Sequence, residues 1–296
     1  MNRFLSVVLC LSMAACGGSS SSGPSPAPTP PAGVSVLTFV STLGGAPVSG
    51  ARVTVAGVAY TTNASGQISL TTPAAAGVTI DTTASGFIDR ATVVRSESTI
   101  TLWQVPAGVD ASFVRQLVYN HGTSSEVLWR PTATLVYIQL TGELAGDAAS
   151  RSAHVQAAAM ATAMTGGRVQ VQVNDAPPSG QATFTVSLNP GASGAGATTL
   201  ALSGQRITGG KIEYRRIIEA RRSDIVAHEM GHALGFGHAP DRIMCPSTCS
   251  TEFGQPERDV YTSMWARNPG TLAPDNDRST SSASMGETTH TFVCGK

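Results

Sequence analysis

Charged residues are scarce in this sequence. They make up 13% of its 296 residues, and 19 lysines and arginines balance 19 aspartates and glutamates, so the formal net charge is zero. A protein that binds nucleic acid usually carries a basic excess or a basic patch. The composition therefore predicts no nucleic-acid partner. The hydrophobic content of 41% is sufficient for packed cores, and the length leaves room for about two domains.

The apolar run at the N-terminus is too short to cross a bilayer. It covers residues 4–15, whereas a membrane-spanning helix needs about 20 apolar residues. Because Arg3 precedes this run, residues 1–16 have the parts of a signal peptide that is removed on export.

The end of this segment carries a second signal. Two alanines precede Cys16, and two glycines and four serines follow it. This arrangement resembles the signal of a bacterial lipoprotein, which implies lipidation at Cys16 and a lipid anchor in a bacterial membrane, at the outer membrane or cell surface. Ordinary secretion with cleavage near Ala15 is the alternative. Residues 17–33 are rich in Ser, Gly and Pro and are predicted to form an extended spacer.

Residues 34–104 contain no histidine and no cysteine. Short β-branched runs alternate there with turn residues, a spacing typical of a small all-β sandwich. The segments 47–55, 61–67 and 84–87 resemble the carboxypeptidase-regulatory-like or transthyretin-like sandwich. Because no cluster of titratable groups lies in this region, it is predicted to be a non-catalytic spacer or binding module.

Residues 105–276 mix helical and strand patterns, which predicts an α+β domain with a mixed sheet. A long alanine-rich helix is expected over 147–164, with Asp147 as its cap. The other expected elements are helices over 106–119 and 255–266 and strands over 133–140, 168–174, 182–188, 198–202 and 211–219. Residues 277–296 are predicted to be a loosely ordered tail.

The strongest functional signal is a group of histidines after residue 223. Ser223 is expected to cap a helix, with Asp224 in its first turn. His228 and His232 are four residues apart, so a helix places both imidazoles on one face. Glu229 is rotated away from these ligands but can reach a water beside a metal, which predicts a general base.

A third histidine follows after a helix-breaking position. Gly235 accepts the left-handed conformation that ends a helix, and the resulting turn can return His238 to the metal. Three neutral imidazoles favour Zn²⁺ and leave a fourth position for water. His121, His154 and His290 lack this spacing and are predicted to be ordinary surface or core residues.

The run His-Glu-Met-Gly-His-Ala-Leu-Gly-Phe-Gly-His over 228–238 resembles the zinc signature of the metzincin metallopeptidases. The resemblance extends to Met244, which would form the methionine turn below the metal, and to Pro246, as in the matrixin branch. It implies a catalytic domain in which an edge strand lies over the cleft. Pro246 stands where some branches have a tyrosine, so no tyrosine ligand is expected. No cysteine-bearing prosegment lies upstream, so inhibition by a cysteine thiolate is not expected either.

These residues predict a zinc-dependent endopeptidase that hydrolyses peptide bonds, with Glu229 as general base. Its partner would be a protein or peptide substrate, and the chain is expected to be a monomer. The alternative is a non-enzymatic surface binding or adhesion lipoprotein that retains a zinc site. The carboxylate at Glu229 argues against that alternative, because a structural site needs no base.

The cysteines are predicted to differ in their chemical state in the mature protein. Cys10 leaves with the signal peptide, and Cys16 is the lipidation candidate. Of the three others, one pair is expected in an oxidising compartment. Cys245 and Cys249 are close enough to form a possible disulfide, and a bond from Cys294 to either of them is the alternative.

Overall fold

The computed structural model describes residues 33–123, 126–247, 250–278 and 286–295. The predicted signal peptide, Cys16 and all but the last residue of the predicted spacer lie outside these ranges. The described residues belong to one compact unit that spans Gly33–Lys296. Among them, no helix has both the length and the apolarity needed to cross a bilayer.

The first part of this unit is a β-sandwich. Its strands are β1 (Val34–Ser41), β2 (Arg52–Val55), β3 (Val58–Thr61), β4 (Gln67–Ala74), β5 (Thr79–Thr83), β6 (Arg90–Val93) and β7 (Thr99–Leu102). One sheet has the order β4-β1-β7 and the other β3-β2-β5-β6. Alternate side chains of both sheets enter one apolar cluster, in which Leu37 and Phe39 from β1 join Val53 from β2 and Ile80 from β5. This agrees with the all-β pattern of residues 34–104.

The remaining strands form a third sheet, which is mixed. They are β8 (Arg130–Pro131), β9 (Leu135–Leu140), β10 (Gln170–Val173), β11 (Ala182–Leu188), β12 (Gly196–Ser203), β13 (Arg206–Tyr214) and β14 (Glu287–Cys294). The sheet order is β10-β9-β11-β13-β12-β14, with β8 beside β13. The first four strands in this order are parallel, whereas β12 is antiparallel to both of its neighbours.

Five helices accompany this sheet within the described residues. They are α1 (Ala111–Tyr119), α2 (Ala148–Met164), α3 (Ile217–Ala220), α4 (Ser223–Ala233) and α5 (Gln255–Trp265). The predicted α+β class is therefore confirmed. Small buried residues on α2, including Ala157 and Ala161, let this helix pack closely against α4.

The starts of the two long helices differ in their capping. The Asp147 carboxylate accepts a hydrogen bond from the Ser150 backbone N–H at 2.7 Å and caps α2, as predicted. The predicted cap of α4 is wrong by one position, because Ser223 is the first helical residue and Arg222 occupies the cap. Asp224 lies in the first turn, as expected, and its carboxylate accepts two hydrogen bonds from the Arg222 guanidinium.

Two other predictions for this region are wrong. The strand expected over 211–219 ends at Tyr214, and the chain then turns into α3. The tail expected to be loosely ordered contains the eight-residue strand β14. The reason is tertiary, because β12 offers an edge with unpaired backbone groups, which the local pattern of the tail does not reveal.

A buried ion network connects the sandwich with the segment after α5. The Arg90 guanidinium donates to Asp275 at 2.9 Å and to Asp277 at 3.0 Å. The Arg267 guanidinium donates twice to Asp275, both times at 2.6 Å, and also to the Thr101 backbone carbonyl at 3.0 Å. The side chains of Arg267 and Asp275 are fully buried. The sandwich is therefore fixed to this segment by paired charges as well as by apolar contacts.

Candidate metal centre

Helix α4 places two histidines side by side, as their spacing predicts. The Nε2 atoms of His228 and His232 are 3.1 Å apart, and both residues are buried. His228 Nδ1 contacts the carbonyl oxygen of Ile243 at 2.5 Å, and His232 Nδ1 contacts that of Phe236 at 2.7 Å. Because a carbonyl only accepts, each Nδ1 carries the hydrogen and donates it. The two Nε2 atoms therefore face each other with their lone pairs.

Because two facing nitrogen lone pairs repel each other, this arrangement needs a cation between the two nitrogens or a proton on one ring. Burial lowers the pKa of His228 to about 4 and lowers that of His232 well below its usual value. Protonation is thus disfavoured near neutral pH, and both rings stay neutral. Two neutral, oriented imidazoles whose free nitrogens converge are suited to hold a metal ion.

The third predicted ligand returns through a turn after α4. Gly235 has a φ of +102°, and a Cβ there would lie 2.2 Å from the carbonyl oxygen of Trp129. Only glycine fits this position, as the sequence indicated. The turn brings the His238 ring to within 4.7 Å of the His232 ring and 5.5 Å of the His228 ring, measured between centroids. All three predicted histidine ligands therefore lie together.

Met244 packs directly against the helix that carries the histidines. It is fully buried, and a Cβ added to Gly231 of α4 would lie 2.3 Å from its sulfur. The backbone N–H of Ala239 donates to the Met244 carbonyl at 3.0 Å, and the preceding Ile243 carbonyl orients His228. The turn at Met244 therefore packs against α4 and orients one of the predicted ligands.

Glu229 is completely buried beside these ligands. Thr198 on β12 donates its hydroxyl hydrogen to Glu229 Oε2 at 2.6 Å. Among the described residues, no donor lies within hydrogen-bond distance of Glu229 Oε1, although the carboxylate also interacts with the Cys294 thiol. Burial raises the pKa of Glu229 to about 7. Gly196 leaves space for this carboxylate, because a Cβ there would lie 2.3 Å from Oε1.

A fourth donor comes from a residue that the sequence analysis did not assign to the site. The Cys294 sulfur at the end of β14 lies 3.1 Å from His232 Nε2 and 3.4 Å from His238 Nε2. The four donor atoms all lie within 4.8 Å of one another, so this cluster could hold a metal ion. Burial and the Glu229 carboxylate raise the pKa of the Cys294 thiol, whereas coordination to a metal would deprotonate it.

Cys294 corrects one expectation and adds a cysteine beside the predicted metal ligands, which it follows in the chain. The alternative disulfides of Cys294 are wrong, because this thiol is free. Cys245 is disulfide-bonded, and its partner lies outside the described residues, as Cys249 also does. The β-branched and aromatic residues from 288 to 293 would have been the available sequence signal for this strand.

The other three histidines lie outside the four-residue cluster. The His121 ring stacks on Trp129 with 4.1 Å between centroids. His154 on α2 contacts the Ser150 carbonyl oxygen through Nδ1 at 2.7 Å. His290 precedes the cluster on β14 and contacts Phe292 edge to face at 4.8 Å.

The candidate centre thus combines a helix, a turn and a strand from distant parts of the chain. His228, His232 and Glu229 come from α4, His238 from the turn after it, and Cys294 from β14. Comparison of the chain with models of known protein families and with curated protein sequences finds no match.

Proposed function

We propose that this protein is a zinc-dependent endopeptidase. The single observation that carries the proposal is the position of Glu229, a buried carboxylate whose Oε1 has no partner among the described residues, directly beside three converging histidines. A site with only a structural role has no need for a buried carboxylate with one oxygen left without a hydrogen bond, which is costly to keep.

The chemistry of the donors favours zinc as the metal. Three imidazole nitrogens, with or without a thiolate, form the tetrahedral nitrogen and sulfur set that zinc prefers, whereas calcium and magnesium prefer oxygen. When bound, zinc supplies Lewis-acid polarisation of a carbonyl and a lowered pKa of water. His228 and His232 would hold it through Nε2, since each Nδ1 is committed to a carbonyl oxygen.

Glu229 provides the proton transfer in this proposal. Its Oε1 is free to accept a proton from the attacking water, while Thr198 holds Oε2 in place at 2.6 Å. Burial raises the pKa of Glu229, which suits a group that first accepts a proton and then returns it to the leaving amine. In this proposal Oε2 therefore fixes the position of the carboxylate, and Oε1 accepts the proton.

The surroundings of the site support a metzincin-like catalytic domain as part of the proposal. Met244 packs against α4 at Gly231, and we assign to it the role of the methionine turn. Strand β12, antiparallel to β13, borders the site through Thr198 and Gly196. The other edge of β12 is paired with β14, so an extended peptide substrate could add to β12 by backbone hydrogen bonds only where β14 is displaced.

A non-enzymatic surface protein with a structural zinc is the second candidate. The observation that favours it is Cys294, because four protein ligands are typical of closed structural sites. In either case we propose export and a lipid anchor at Cys16, on the basis of the N-terminal sequence, and a monomeric protein.

The experiment that separates the two candidates is replacement of the base. Glu229→Gln preserves the volume of the side chain, and we expect it to keep zinc while peptide cleavage falls by about 10²- to 10⁴-fold. Cleavage of a protein mixture should be measured with sequencing of the cut sites, in the wild-type and Cys294→Ser backgrounds, because the Cys294 sulfur lies 3.1 Å from His232 Nε2.

Glu143→Gln is the matched control, since Glu143 is exposed on a 3-10 turn away from the site. Equal cleavage by the Glu229→Gln and parent proteins would exclude Glu229 as the base. Absence of cleavage in both backgrounds at full zinc occupancy would favour the structural candidate.

A further inference from the structure

Strand β14 is the part of the fold that the proposed function leaves unexplained. It pairs with β12 in antiparallel register along its whole length, from Gly196 opposite Cys294 to Ser203 opposite Glu287. β12 is also the strand that provides Thr198 to Glu229. Without β14, β12 would be the free edge of the sheet next to the metal centre. The C-terminal strand therefore occupies the backbone groups on which an extended peptide could pair.

The alternation of β14 turns its apolar side chains toward the centre. Phe292 and Cys294 are buried, whereas Val293 between them is 49% exposed. The Phe292 ring lies flat on the His232 ring, with 4.1 Å between centroids and an interplanar angle of 4°. A Cβ on Gly194 would lie 2.6 Å from the Cys294 carbonyl oxygen, so glycine is needed there for the strand to approach. Strand β14 therefore packs closely against the candidate metal centre.

The position of the Cys294 sulfur matches a metal ligand. Ligands placed tetrahedrally around zinc at about 2.05 Å for nitrogen and about 2.3 Å for sulfur lie roughly 3.3 Å (N to N) and roughly 3.6 Å (N to S) apart. The distance between Nε2 of His228 and of His232 is 3.1 Å, and the Cys294 sulfur lies 3.1 and 3.4 Å from His232 and His238. These three pairs are slightly closer than in such a shell, and the four donor atoms all lie within 4.8 Å of one another, so small shifts of the side chains would accommodate the ion.

The remaining space at the centre excludes a peptide. The cavity bordered by His228, Glu229, Pro246 and Cys294 has a volume of about 10 Å³. This is room for roughly one water molecule. A substrate carbonyl could reach the metal only if Cys294 and the end of β14 moved away.

We propose that β14 keeps the metal centre closed, with the Cys294 thiolate as the fourth metal ligand and the strand in the place of a peptide on β12. The regulatory role of β14 rests on the proposed peptidase function. The coordination by Cys294 does not depend on that function. The centre becomes hydrolytic when β14 leaves β12 and the thiolate leaves the metal.

The expected effect on activity follows from tethering. A strand joined to the same chain competes with substrate at an effective concentration on the order of millimolar, so an intrinsic Kd of about 100 µM leaves roughly one site in ten open. Removal of the Cys294 ligand should therefore increase peptide hydrolysis, by up to about tenfold if every site opens.

Zinc K-edge X-ray absorption of the full-length protein with one bound zinc tests the coordination directly. We expect one sulfur at about 2.3 Å beside three nitrogens in the wild type. Cys294→Ser should lose the sulfur signal and keep the zinc. Val293→Ser is the matched control, since this neighbouring side chain points to solvent, and it should retain the sulfur. Peptide hydrolysis by the same three proteins is the second measurement.

The outcomes distinguish this inference from the proposed function. Absence of sulfur from the zinc coordination shell of the wild-type protein would overturn the inference, whether or not the protein cleaves peptides. This measurement needs no variant. A sulfur signal lost in Cys294→Ser, with a rise in hydrolysis, would support it in full. A sulfur signal with no hydrolysis by any form would refute the peptidase function and overturn the closing role, leaving Cys294 in a structural site.

Discussion

Removal of the Asp275 carboxylate should be among the most damaging single changes outside the metal centre. Asp275 accepts two hydrogen bonds of 2.6 Å from Arg267 and one of 2.9 Å from Arg90. Asp275→Ala leaves the fully buried Arg267 side chain without a carboxylate partner. Breaking a buried pair in this way typically costs about 3–5 kcal/mol, a large part of a total stability of about 5–15 kcal/mol.

The free energy of unfolding can be measured by urea titration, with tryptophan fluorescence and circular dichroism as parallel probes. Trp103 is a suitable reporter, because it is buried and the Arg267 guanidinium carbon lies 5.9 Å from its ring centroid. Glu126→Ala is the control, since its partner Arg115 is 60% exposed and such a surface pair contributes at most about 1 kcal/mol.

A loss below about 1 kcal/mol for Asp275→Ala would refute the reasoning, because it would show that water or another group solvates Arg267. The double variant Arg267→Met with Asp275→Leu provides a further check. It removes both charges together, so it should recover much of the stability that the single variant loses. A truncated chain that begins after the sandwich would lose Arg90 and Thr101 from the same network. We therefore expect this truncated chain to be less stable than the full chain.

Three further predictions concern the metal, its support and the N-terminus. His238→Ala should weaken zinc binding by removing one ligand, and an unchanged affinity in competition with a chelator would exclude His238. Gly231→Ala should reduce stability by about 1–3 kcal/mol through overpacking, because its Cβ would lie 2.3 Å from the Met244 sulfur. The control Gly146→Ala, with nothing within 4 Å, should leave the melting temperature nearly unchanged. Cys16→Ser should release the protein from the membrane fraction, and a wild-type protein found only in the soluble fraction would contradict the lipid anchor.

The fold was predictable where the pattern is local. The cap at Asp147 and helix α5 follow from residues close together in sequence, and the structure has both. Elsewhere, local sequence patterns predicted the wrong secondary structure. The strand predicted over 211–219 changes into a helix after Tyr214, because the chain turns there to enter α4. The segment after residue 277 has too few apolar residues to fold alone, so its strand forms only by pairing with β12.

The histidines and the base of the candidate centre could be identified from their spacing in the chain. The period of a helix brings His228 and His232 together, and a glycine is required where the chain turns toward His238. The residues that surround them could be identified only from the folded structure. Thr198 reaches Glu229 across 31 residues, and Cys294 reaches His232 across 62 residues. This difference arises because local hydrogen bonds fix the spacing within a helix, whereas the partners of a strand edge depend on pairing between distant segments.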